Sequence, residues 1–89
     1  MDDQEKLKQY ENTVEELRWE FPKVPQHTRE SFARLLVYGF RPGGFLSAVI
    51  SNDLAAAVGR ADEKNLPALG DITRMVYMLR HKIPTEVTE

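Results

Sequence analysis

Chemistry in this chain can begin at three places. Arg41-Pro-Gly-Gly44 sets a guanidinium and two unhindered peptide units directly ahead of an apolar-periodic stretch, an arrangement able to hold an anion. His27-Thr-Arg29 gathers an imidazole, a hydroxyl and a second guanidinium, groups that can meet phosphate oxygens. Tyr10 offers an aromatic face on which a planar base can stack. The same residues have plain structural uses: Gly43 and Gly44 in a tight turn, Thr28 as a helix cap, His27 as a polar loop residue and Tyr10 as core packing. On spacing alone the structural uses carry more weight, packing for Tyr10 and the cap for Thr28 first among them.

Some reaction classes can be set aside. Cysteine is absent, which removes thiolate nucleophiles, thiolate metal sites and disulfides. The two histidines are His27 and His81, and the second, between Arg80 and Lys82, complements the end of a helix. Phe45 and Leu46 follow the paired glycines where a P-loop needs Lys and Ser or Thr. Carboxylates are scattered over polar helix faces instead of converging, so the chain reads as a binder and not an enzyme, with no metal or cofactor motif.

The elements that must position these groups are helical. Leu7, Tyr10, Val14, Leu17 and Phe21 step by three and four, predicting a first helix from about Asp3 to Glu20, closed by Pro22 and Pro25. Thr28 is then the expected N-cap of a short second helix carrying Phe32, Leu35 and Leu36, with Gly39 as its left-handed exit. From Leu46 to Ala61 one apolar face continues, which predicts a single third helix bent at Asn52-Asp53. A fourth is expected from Pro67 to Pro84, on Leu69, Ile72, Val76, Leu79 and Ile83. The expectation is an all-α bundle of about four helices, one domain over residues 1–89, with a frayed tail at 85–89.

Net charge is −2, which excludes a general binder of DNA or RNA. A helix-turn-helix reader is disfavoured too, because residues 44–60 carry only Arg60 as a cation. The charge is unevenly spread: residues 1–20 hold seven acids and three bases, residues 22–44 four bases and one acid. Apolar runs are shorter than the ~20 residues of a membrane span, and the start of the chain is acidic where a signal peptide is basic, so an intracellular, membrane-free protein is expected. A chain this small buries only ~60 to 65% of its unfolded surface. With 42% hydrophobic residues, self-association is the expected way to cover the remainder, and Trp19, off the seam of the first helix, reads as an oligomer contact.

Val24-Pro-Gln-His-Thr-Arg-Glu30, Arg41-Pro-Gly-Gly-Phe-Leu46, Ala48-Val-Ile-Ser-Asn-Asp-Leu54 and Ala57-Val-Gly-Arg-Ala-Asp62 together resemble a family of small tailed-phage proteins. These are the anti-CBASS sponges, which sequester the cyclic oligonucleotide signals of bacterial defence. The resemblance spans residues 24 to 79. It implies immune evasion in the cytoplasm of an infected host by a homo-oligomer, a dimer-based hexamer in the better-known members. It also implies cyclic dinucleotides held between paired protomers and, in some members, cyclic trinucleotides where three protomers meet, with no hydrolysis. By the same resemblance Tyr10 stacks on a base while Gln26 and Thr28 hold phosphates. A lysine would suit the position of Gln26, and Lys23 and Arg29 are the cations beside it. The rival expectation is a helical interaction protein that blocks a host enzyme through its first or last helix.

Overall fold

A computed structural model describes residues 2–85; of the expected frayed tail only Thr85 is among them, and 86–89 lie outside. The described chain is all-helical: α1 Asp3–Glu20, α2 Gln26–Tyr38, α3 Gly44–Ile50, α4 Leu54–Arg60, α5 Leu69–Met78, and a 3₁₀ turn Arg80–Lys82. α1 starts where the Asp2 carboxylate accepts the Glu5 N–H, with Asp3 and Glu5 favourably placed at the positive end of the helix. It stops at Phe21, ahead of Pro22. Gly39, at φ 73°, ends α2 in the left-handed conformation, its N–H closing on the Leu35 carbonyl.

Three local expectations need correction. The third helix is two helices: Asn52 sits at φ 61°, and the Asn52 and Asp53 N–H groups close back on the Val49 and Ala48 carbonyls, a Schellman ending. Asp53 then caps α4 by accepting the Ala56 N–H. Thr28 is not a cap. α2 begins two residues earlier, after Pro25, whose carbonyl accepts from the Thr28 and Arg29 N–H groups, so Thr28 lies within the first turn. The last helix begins at Leu69, not Pro67, and gives way after Met78 to the 3₁₀ turn.

α1 packs against α2, and α3 against both α4 and α5. One core joins the pieces: Leu17 and Phe21, Val24, Phe32 and Leu35 meet Leu46, Ile72 and Met75. The N-terminal half of α1 contributes little. Leu17, near the C-terminal end, is the single buried residue of α1, Tyr10 and Val14 are partly covered, and Leu7 is 51% exposed. The 18 residues of α1 extend about 27 Å at ~1.5 Å per residue, against about 20 Å for the 13 residues of α2. The seam seen in the sequence is therefore covered only toward its C-terminal end.

Candidate functional site

A cleft of 230 Å³ opens between the start of α2, the turn before α3 and the segment after α4. His27, Thr28 and Ser31 come from α2, Gly43 and Gly44 from the turn, and Arg60 and Asn65 from the opposite wall. Four of the sequence-selected residues, His27, Thr28, Gly43 and Gly44, thus share one cleft. The turn explanation for the glycines fails, since neither has a positive φ. Gly44 has a different reason: a Cβ there would stand 3.1 Å from Arg60 Nη1 and 3.3 Å from Arg60 Cδ. With a side chain at 44 the arginine would have to shift by a few tenths of an ångström. Gly43 has open space around it.

The wall of the cleft is held by a buried polar contact across 37 residues of sequence. Thr28 Oγ1 donates to Asn65 Oδ1 at 2.5 Å, and the two residues are 3% and 5% exposed. Asn65 is itself fixed by its N–H, which Asp62 Oδ1 accepts at 2.7 Å, while Lys64 N–H reaches the same oxygen at 3.0 Å. The other oxygen, Asp62 Oδ2, lies 3.2 Å from His27 Nε2. These contacts hold the Asp62 carboxyl below the usual aspartate range, the Asn65 N–H first, then the Lys64 N–H and His27, outweighing partial desolvation. An ionised carboxylate only accepts, so His27 Nε2 carries the proton in this contact. The Asn65 amide nitrogen, 3.4 Å from the same Nε2, then keeps its donors for another acceptor.

The remaining candidates point elsewhere. Gln26 is exposed and bonds Glu30 at 3.2 Å along the surface of α2. Arg29 lies beside Trp19, Arg18 and Pro22, donating to the Pro22 carbonyl at 3.4 Å, with its Nε buried and unpartnered. Arg41 lines a separate apolar recess with Leu35, Ile50 and Ile83. Tyr10 belongs to an aromatic row: its ring is 6.1 Å from that of Tyr38, which stacks on Phe40 at 5.1 Å. Its hydroxyl takes a long hydrogen bond of 3.5 Å from Arg34.

The sequence reading missed Ser31, Arg60, Asp62 and Asn65 as parts of the cleft. Arg60 was visible as the lone cation of its stretch, and Asp62-Glu-Lys-Asn65 as an Asx-turn composition; neither pattern says which α2 residues will face it. Among the described residues no helix is long and apolar enough to cross a membrane, and no three acidic or histidine side chains converge as metal ligands. Set against protein families, curated proteins and solved structures, the chain matches none of them.

Proposed function

We propose that this chain is an oligomeric, non-hydrolysing binder of cyclic dinucleotide messengers, of the anti-CBASS sponge type. On this reading it acts in the cytoplasm of the infected bacterium, and cyclic trinucleotides are a second ligand class. The observation that carries the reading is the cleft in which the Arg60 guanidinium lies over Gly44 beside His27 and Ser31. Its 230 Å³ is less than the ~300 to 1,000 Å³ of pockets that enclose a whole ligand. A cleft of that size suits one phosphate and sugar of a cyclic dinucleotide, and a two-fold pair of protomers supplies the second half. The uncovered N-terminal half of α1 is a surface for that pairing, and brings Tyr10 into reach of a ligand only from the partner copy.

Titration calorimetry against a panel of cyclic di- and trinucleotides tests the proposal, with the ligand recovered after denaturation and chromatographed. Saturable heat and intact ligand are expected; degraded ligand, or no heat with any member, overturns it. One observation favours a second reading, an inhibitor of a host protein. Trp19 is 76% exposed, its indole N–H held by Glu15 at 2.8 Å, with Arg18 and Arg29 alongside, and Trp and Arg dominate binding hot spots.

A further inference from the structure

We infer that Arg60 is the cleft's oxyanion-binding residue, that its ligand is a phosphate ester, and that glycine at 44 leaves it room to lie against the turn. The inference deepens the proposed function and rests on it for the identity of the natural ligand, but the phosphate chemistry is argued from the cleft alone. Thr28 is not free to donate to a ligand, because a hydroxyl has one proton and that of Thr28 goes to Asn65 Oδ1. The negative charge already in the cleft is occupied: Asp62 accepts from two backbone N–H groups and from His27. Arg60 makes no ion pair with it, and neither Arg60 nor Ser31 has a side-chain hydrogen-bond partner among the described residues.

A guanidinium with five unspent N–H donors, sharing the cleft with the Ser31 hydroxyl, matches the several oxygens of a phosphate better than a single carbonyl or a cation. Position 44 supports this. A Cβ there would crowd Arg60 at Nη1 and Cδ, so glycine at 44 leaves the arginine its place against the turn. Thr28 and Asn65 are then positioning residues, tying the segment after α4 to α2 so that Arg60 and His27 face the same space.

The test uses the full chain and two probes, inorganic pyrophosphate and cyclic di-GMP, read by the side-chain ¹⁵N resonance of Arg60 and by calorimetry. Pyrophosphate is expected to shift the Arg60 Nε–H signal saturably. Arg60→Ala should weaken pyrophosphate at least tenfold with unchanged melting, and Arg60→Lys should recover only part of the loss. Gly44→Ala should weaken it by a smaller factor than Arg60→Ala, since the added methyl asks the flexible arginine side chain to shift by only a few tenths of an ångström. Gly59→Ala, beside Arg60 with nothing within 4 Å, serves as the control for stiffening α4 and should match the wild type. An unmoved Arg60 signal with pyrophosphate, or Arg60→Ala binding pyrophosphate within twofold of wild type, overturns the inference. If pyrophosphate binds through Arg60 while no cyclic nucleotide does, the messenger reading fails and the oxyanion site stands.

Discussion

Thr28 and Asn65 form the one hydrogen bond among the described residues that is buried at both side chains, and the cleft wall depends on it. Thr28→Val keeps the shape and removes the donor, leaving the Asn65 carbonyl unsatisfied, so a loss of about 1 to 3 kcal/mol is expected in urea unfolding. The Thr28→Val, Asn65→Ala pair should show non-additive losses, because both remove the same contact. Asp62 adds a pH dependence with a definite sign. Its carboxyl is depressed in the folded chain, so the contribution is complete above the ordinary value of about 4 and is lost as pH falls through the lower folded value. The protection of the Lys64 and Asn65 amides against hydrogen exchange, taken relative to their intrinsic rates, should therefore fall below about pH 4, ahead of amides in α5. Tyr10→Ala, in a chain that binds as proposed, should weaken dinucleotide binding by about 1 to 3 kcal/mol, the value of one stacked base. Unchanged affinity would assign Tyr10 to the aromatic row with Tyr38 and Phe40 alone.

At the scale of the element, the break between α3 and α4 sets the cleft. A straight helix from Gly44 to Arg60 would carry its last turn roughly 24 Å from its first, at about 1.5 Å per residue. Arg60 could not then lie over Gly44. The chain folds back because Asn52 tolerates the left-handed conformation better than most non-glycine residues and Asp53 restarts the helix with a side-chain cap. Asn52→Ala is expected to cost about 1 kcal/mol through strain at positive φ, a fall of roughly 4 to 8 °C in melting temperature for a domain of this size. Asn52→Gly should stay within about 0.5 kcal/mol of wild type, since glycine removes the strain while adding freedom to the unfolded chain. Equal melting of the Ala and Gly variants would mean that the backbone at 52 carries no strain.

Taken whole, the molecule closes a core yet leaves large apolar side chains outside it. Its radius of gyration, 12.5 Å, is near the ~12 Å expected for a compact chain of this length, so the exposed residues are not a sign of loose folding. Leu7, Trp19, Leu54 and Tyr77 are each at least half exposed, and Leu54 and Val58 stand one turn apart on the outside of α4. A chain with these surfaces is expected to self-associate. Sedimentation equilibrium should return a multiple of 10.2 kDa, and Leu7→Glu should shift it toward the monomer with helical circular dichroism unchanged. A wild-type chain that sediments as a monomer while still capturing cyclic dinucleotides would remove the paired-protomer basis of the proposed function.

Periodicity and breakers were enough to read the all-helical class, the bounds of α1 and the Gly39 exit, because those depend on contacts within a few residues. The same local signals at Asn52-Asp53 announced a disturbance without its size, since a bend and a full Schellman stop use the same residue types. The cleft was half legible. His27, Thr28, Gly43 and Gly44 stood out by type, but Tyr10, Gln26, Arg29 and Arg41 stood out equally and point to other surfaces. Only the tertiary fold decided between them, because Arg60 and Asn65 approach α2 across more than thirty positions, and residue spacing carries no information about a contact made by chain reversal.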